Sequence, residues 1–405
     1  MLWPLPSIAQ ATTQIVVIGG GFGGASCARA LRRSGANVAI TLVEKRRIYT
    51  APPLSNGVLG GLRALADQQF GYDKIAAAGI RVASATATAV DPPARRITLD
   101  NGDTLSYDRL VLAPGIDPRF DAIAGYSEAL ATQLPHAWTS DGAQLDLLRR
   151  QIEAMDDGGL VAITAPASPA RCPPGPYERA SKIALYLKTK MPRSKLVIID
   201  AKDEFTMQQL FQNAWQKLYP GLIEWAPPSK GGDIASIDAA KKVINTDFDT
   251  YRFAVANVIP PQRAAAITMR AEVADRTGWC PVDPITFESL QQPNIHVIGD
   301  AAIAGAMPKS AFAAAVEGEL CAAAIVQLIG GGNPVAAKLV SNCYSLVGTD
   351  YAISTTGVFH PDAGQYVEVE GAGGISPLNA PPEFRAEEAK FADAWFRTNT
   401  HQIFG

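Results

Sequence analysis

Apolar and polar positions change period along the chain, and the changes mark its elements. Residues 14–44 hold one unit: QIVVIGG is a β-branched run of strand length, FGGASCARALRRSG has helical spacing and closes at Gly35, and VAITLVE is a second strand. Such a unit opens a doubly wound domain. From about 80 to 115 the period falls to two, in RVASATATAV, RRITL and TLSY with an Asn101-Gly102 turn, which predicts a β-meander with a hairpin. The strand–helix–strand order then repeats in GLVAIT, a helix from about Tyr177 to Lys190, and KLVIID. Near 295 the run NIHVIGD reads as a buried strand before a long alanine-rich helix. After Gly330-Gly331-Gly332 the chain has its own strands and a final amphipathic helix.

The pattern predicts an α/β protein with two Rossmann-like dinucleotide-binding-type domains and a C-terminal α+β interface domain. The expected boundaries are 12–118 with 260–330 for the first, discontinuous domain, 119–259 for the second, and 331–405 for the third.

Composition narrows the function. With 405 residues, 47% hydrophobic and 19% charged, the chain can build a large core. A net charge of −3 supplies no basic field for nucleic acid. Four histidines (His136, His296, His360, His401) and five cysteines (Cys27, Cys172, Cys280, Cys321, Cys343) are scattered without metal-ligand spacing, so no metal site is expected. No C-x-x-C-H exists to attach a haem, and the odd cysteine count leaves at least one thiol free or paired outside the chain. Met1 to Ala28 carries no charge, but its glycines and prolines argue against a membrane span. Lys309, Glu317 and Glu319 interrupt the alanine-rich run around 301–328, so no integral membrane segment is expected there either. The leader ends in Ala9-Gln10-Ala11, a small-x-small pattern like the end of a secretory signal peptide, yet lacks the basic start, which leaves export open.

Gly19-x-Gly21-x-x-Gly24 falls between a strand and a helix, where glycines permit the tight turn and let a pyrophosphate approach the helix N-terminus. Glu44 follows 20 residues after Gly24, placing a carboxylate to accept from an adenosine ribose hydroxyl. Together they predict dinucleotide binding. IHVIGDA resembles the strand that ends in Gly-Asp in two-domain flavoproteins, whose Asp (here Asp300) meets the ribityl or pyrophosphate end of FAD. By the same resemblance, Lys309 and the helix start near Met307-Pro308 would face the flavin. The FAD-binding set so defined is Gly19, Gly21, Phe22, Gly24, Glu44, Lys45, Asn56, Ala113, Gly115, Gly299, Asp300, Met307 and Lys309.

The second unit lacks such a turn. Where GLVAIT ends the chain reads APASPARCPPGPYERA, and prolines at 166, 169, 173, 174 and 176 remove backbone N–H groups from the loop that would cradle a second pyrophosphate. A nicotinamide site is not expected. The loop offers Cys172 near a helix N-terminus, a position that favours thiolate, with Glu178 close enough to move protons.

RCPPGPYER (171–179), GWCPVD (278–283), HVIGD, MPKS, NCYS (342–345) and a tail ending near Trp395 resemble, over nearly the whole chain, the flavoprotein subunit of flavocytochrome c sulfide dehydrogenase. The resemblance implies the disulfide-reductase-like flavoprotein fold. It also implies a redox-active disulfide of Cys172 with Cys343 against the flavin, Glu178 as acid/base and Trp395 by the substrate pocket. The implied activity is oxidation of sulfide, with electrons passed to a separate c-type cytochrome subunit in the periplasm; a homodimer stays open. Cys27 and Cys321 read as small core residues on helical faces.

The family commonly tethers FAD through a cysteine in a context like Y-T-C-Y-L-S-N. Here Tyr49-Thr50-Ala51-Pro52-Pro53-Leu54-Ser55-Asn56 has no sulfur, so non-covalent FAD is expected. The rival readings are a sulfide:quinone oxidoreductase and a non-catalytic flavin/thiol electron-transfer protein.

Overall fold

The computed structural model describes residues 12–405, so the leader lies outside the described residues. The first unit is built from β1 (Thr13–Ile18), α1 (Phe22–Arg33), β2 (Val38–Val43), β3 (Arg81–Ala83) and β4 (Arg109–Leu112). The expected meander lies between the last two as Ala87–Asp91, Arg96–Leu99 and Thr104–Ser106, with Gly102 at φ +87° in its hairpin.

The second unit follows: α2 (Gly142–Glu153), β5 (Leu160–Ala165), α3 (Gly175–Lys190), β6 (Lys195–Asp200), β7 (Ile223–Ala226) and β8 (Val255–Asn257). It too carries a three-stranded antiparallel sheet, Ile234–Asp238, Val243–Thr246 and Thr250–Arg252, which the sequence pattern did not single out. The chain then returns through β9 (Ile295–Val297) and α4 (Ala311–Ile329). It ends in β10 (Leu339–Leu346), β11 (Ala352–Asp362), β12 (Gln365–Glu368) and α5 (Pro382–Phe404).

β9 joins the first sheet, which runs β9-β4-β1-β2-β3 with every pair parallel. The second sheet runs β7-β6-β5-β8 and is also wholly parallel. Ile15, Val16, Val17 and Ile18 of β1 are all buried, as are Val161, Ala162 and Ile163 of β5, because helices cover these sheets. The ends of β1 and β5 therefore carry the two turns that matter for chemistry.

α4 starts later than the sequence suggested, at Ala311, with Ser310 as its cap: its Oγ accepts from the Ala313 N–H at 3.1 Å. By length and composition α4 is also apolar enough to cross a membrane, contrary to the expectation drawn from Glu317 and Glu319. Here half of that stretch is buried in the protein, against α1 and the sheet, and the Glu317 carboxylate accepts from the Gly299 N–H at 2.6 Å. β10, β11 and β12 form an antiparallel sheet against which α5 packs. The end of α5 reaches back to the first unit, where Arg29 Nε donates to the Ile403 carbonyl at 2.7 Å and Phe404 packs against Phe22 and Tyr49.

Candidate active site

One large cleft runs from the β1–α1 turn to the β5–α3 turn, with about 1590 Å³ of empty space, its open mouth included. At one end Gly19 has φ +102°, and a Cβ there would run into the Ala113 carbonyl; one on Gly24 would strike the Gly19 carbonyl. Only glycine fits either place, which keeps the turn tight and its amides at the head of α1. Glu44 is fixed beside it, accepting from Gly20 N–H at 2.7 Å and Arg46 N–H at 3.0 Å, and lines the cleft.

At the other end Cys172 occupies the β5–α3 turn at φ +52°, its N–H donating to the Lys309 carbonyl at 2.7 Å and its carbonyl accepting from Gly175 N–H at 2.8 Å. Cys343 faces it from β10. Both line the cleft, and both are free cysteines, so the disulfide implied by the resemblance is not formed here. Burial works against the thiolate tendency expected of Cys172. Burial pushes its thiol up, Cys343 and Glu178 push further, and Arg171 pulls back only in part. Burial also raises Cys343, against hydrogen bonds from Ser310 and Ser341.

Glu178, in the first turn of α3, is buried between the two cysteine-bearing elements. Its Oε2 accepts from Asn56 Nδ2 at 2.9 Å and its Oε1 from Leu346 N–H at 3.0 Å, two residues beyond Tyr344 on the strand of Cys343. Burial raises this carboxyl, with Lys182 and the Leu346 amide opposing, so it can hold a proton at higher pH than an exposed glutamate. Arg179 locks the surroundings: it donates to Asn56 Oδ1 (2.9 Å), Asn257 Oδ1 (2.9 Å) and the Ala137 carbonyl (2.7 Å), and lies 4.7 Å from the Trp138 ring centroid. Burial brings it down to about 9. Lys182, one turn on, donates to the Gly348 carbonyl at 2.7 Å and is lowered to about 8 by burial.

Most of the expected site residues meet here. Gly19, Gly21, Phe22, Glu44, Asn56, Ala113, Gly115, Gly299 and Asp300 line the cleft with Cys172, Glu178, Cys343 and Trp395. Trp395 is stacked between Phe22 (6.2 Å between centroids) and Phe312 (5.8 Å). Gly24 supports the turn from behind. Lys45 is exposed and does not line the cleft; neither do Met307 and Lys309, although the Lys309 backbone meets Cys172 beside it. The Lys309 ammonium instead donates to the Ala302 carbonyl at 2.6 Å and sits 4.1 Å from the centre of the Trp279 ring, where a buried cation finds both a hydrogen bond and a π-face. Arg171, Arg179 and Trp138 were missed, although the two arginines open and close the RCPPGPYER motif.

The cleft fits a flavin dinucleotide. Its glycine cradle admits no side chain, and four buried polar atoms on its wall have no protein partner: Trp138 Nε1, Arg171 Nε, Asn342 Oδ1 and Trp395 Nε1. Ala51, where a tether would lie, is buried on the same wall. Among the described residues no cluster of His, Cys, Asp and Glu could hold a metal.

The corresponding end of β6 is closed. Asp200 is fully buried and accepts from Tyr177 Oη at 2.6 Å and Trp225 Nε1 at 2.9 Å, while Lys202 pairs with its other oxygen at 2.6 Å. Phe205 stacks on Tyr177 with centroids 3.6 Å apart. The carboxylate that could meet a second ribose is committed to the chain's own side chains.

Comparison with known proteins agrees with this division. A family model described as pyridine nucleotide-disulphide oxidoreductase matches residues 13–152. Two others match further on: the sulfide dehydrogenase (flavocytochrome c) flavoprotein chain, central, over 145–260, and the flavocytochrome c sulphide dehydrogenase, flavin-binding, over 335–404. The mitochondrial sulfide:quinone oxidoreductase of Mus musculus is 25% identical over 320 residues, 75% of this chain and 68% of that protein. Putidaredoxin reductase of Pseudomonas putida is 34% identical over 159 residues, 38% of this chain and 36% of that protein. The solved sulfide:quinone oxidoreductase of Aquifex aeolicus superposes with a TM-score of 0.74 at 17% identity, covering 96% of this chain and 92% of that one.

The protein is thus a flavoprotein oxidoreductase with the α/β fold of the pyridine nucleotide-disulphide oxidoreductases, and its cofactor is FAD. Beyond that class, its central and C-terminal regions are similar to the flavin-bearing chains of sulfide-oxidising enzymes.

Proposed function

We propose that the protein is a sulfide dehydrogenase that oxidises hydrosulfide through Cys172 and Cys343 and passes the electrons by way of FAD to a c-type cytochrome. One observation carries the reading. The two sulfide dehydrogenase models cover the segments that bring Cys172, Glu178, Cys343 and Trp395 to a single cleft.

With the two cysteines oxidised to a disulfide, hydrosulfide attacks one sulfur. The S–S bond breaks, a persulfide forms on one cysteine, and the other leaves as thiolate with the electron pair. Glu178 takes the proton released from the attacking sulfur, and its contacts to Asn56 and Leu346 keep it between the two cysteine-bearing elements. Arg179 and Asn257 hold the wall, and Trp395 with its aromatic neighbours keeps water from the reacting end. FAD, when bound, supplies the means to take an electron pair and release it singly. It is held non-covalently, since the loop at Ala51 has no sulfur to offer. A separate cytochrome in the periplasm is the acceptor this reading requires.

A quinone is the second acceptor to consider, because the mouse relative and the Aquifex aeolicus structure are both named for it. Against it, the last helix carries the charged side chains Glu387, Lys390, Asp393 and Arg397 toward solvent beside its exposed Phe384 and Phe391, while Arg385 and Glu388 pair with each other inside the protein.

The test is Cys343→Ser. It should keep FAD while sulfide-dependent cytochrome c reduction falls at least about a hundredfold, on the scale of losing a nucleophile's partner. Near-normal turnover per flavin with a lowered Tm would show a purely structural pair and refute the proposal. A soluble ubiquinone analogue run in parallel ranks the two acceptors.

A further inference from the structure

Away from the cleft, Cys27 and Cys321 are both fully buried, at 0% exposure, and neither has a part in the chemistry above. Cys27 is on α1 and Cys321 on α4, the two helices whose first turns border the cleft. These helices run side by side in the same direction at very close range. A Cβ on Gly23 would lie 3.3 Å from the Ala314 carbonyl oxygen; one on Gly318 would strike the Gly23 carbonyl and lie 3.0 Å from Cys27 N. Cys27 is one turn beyond Gly23, and Cys321 is one turn beyond Gly318 on the same face. The crossing therefore brings the two side chains to one seam, where both are free thiols in this structure. A disulfide needs Cα atoms about 4.4–6.8 Å apart and Cβ vectors that converge, and a backbone-to-backbone helix contact is where two helices supply both.

We propose that Cys27 and Cys321 form a second disulfide, structural rather than catalytic, that clamps the two helices presenting the FAD site. Two S–H bonds are lost and one S–S bond forms; the electron pair passes to a low-molecular-weight disulfide such as oxidised glutathione, which leaves as two thiols carrying the two protons. With no solvent access to either sulfur in the folded state, this exchange takes place while α1 and α4 are still apart. Once folded, the bond is shielded from reductant as well. Cys280, buried beside Thr268, is then the unpaired fifth cysteine.

The experiment is a peptide map of the holoenzyme refolded with FAD in a glutathione redox buffer. It is then unfolded without reductant in excess iodoacetamide and digested. The expected result is the Cys27 peptide joined to the Cys321 peptide, lighter than their sum by two hydrogens, with Cys280 alkylated. Treating the folded holoenzyme with a water-soluble reductant first should leave that link intact, while reductant added after unfolding removes it. Alkylation of both Cys27 and Cys321 after oxidative refolding, or linkage of either to a different cysteine, overturns the proposal. A Cys321→Ala variant should show Cys27 alkylated and a Tm below that of the oxidised wild type. A Tm equal to it would show that no clamp exists.

Discussion

The two strand–helix–strand units share one topology and have been put to opposite uses. In the first, the turn after β1 is all glycine at its critical places, and Glu44 stands at the edge of an open cleft. In the second, the turn after β5 is filled with proline and carries Cys172. Asp200 at the end of β6 is sealed beneath Tyr177, Phe205 and Trp225. A dinucleotide needs free amides and an available carboxylate, and only the first unit offers them. The second unit has exchanged a place for nicotinamide for a thiol that faces the cleft of the first. On the proposed reading, one fold supplies both a cofactor site and a sulfur site.

The largest effect that tests this contrast is on the open unit. Gly19→Val forces a β-branched side chain to φ +102° against the Ala113 carbonyl. A strain of ~3 kcal/mol on the cofactor-bound turn weakens FAD about a hundredfold. The variant should purify nearly colourless, and the ratio of flavin to protein absorbance measures it. Acid precipitation of the wild type should leave the yellow colour in the supernatant. A pellet that stays yellow would mean a covalent bond.

The closed unit should respond differently. Asp200→Asn removes the charge that pairs with Lys202 and disturbs the acceptor for Tyr177 and Trp225. Because Lys202 is partly exposed, the cost is about 2 kcal/mol rather than the larger figure of a fully buried pair. Denaturant unfolding should show that loss with flavin content unchanged. A loss of flavin without loss of stability would mean that Asp200 serves a nucleotide after all.

The smallest effect concerns Glu317 beneath the Gly299–Asp300 turn. Burial raises its carboxyl from 4.5 to about 8. A group raised on folding gives its stabilisation below its unfolded value and loses it as pH rises through the folded one. The wild-type Tm should therefore fall from about pH 5 to about pH 8 more steeply than that of Glu317→Gln, by a few degrees over the range. Lys182, lowered from 10.5 to about 8, acts in the opposite direction and loses its contribution as pH falls through that value. Parallel Tm profiles for wild type and Glu317→Gln would show that Glu317 is not held neutral.

How much of this was legible in the sequence follows from how local each signal is. Gly19, Gly21, Gly24 and Glu44 form a site from a single strand–turn–helix–strand stretch, so spacing alone exposed them. The closing of the second turn was visible in its prolines, but the use of Asp200 was not, because Tyr177, Phe205 and Trp225 come from separate segments. The meeting of Cys172 with Cys343 came from a family resemblance, since no period links positions 171 residues apart. Lys309 was placed by analogy beside the flavin; its ammonium packs on Trp279 and donates to Ala302, a partner the motif did not suggest. The Asn56–Arg179–Asn257 lattice has no sequence signature, because it is made of single hydrogen bonds between distant loops.

The central claim is that the second unit feeds electrons to the flavin from sulfur and not from a nicotinamide. Anaerobic stopped-flow on one preparation of FAD-loaded protein tests it directly, with sulfide in one syringe and NADH or NADPH in another. Rapid bleaching of the flavin by sulfide, with the pyridine nucleotides leaving it oxidised, is the predicted result. Bleaching by NADH at a rate matching sulfide, or a flavin that sulfide leaves oxidised, would contradict it.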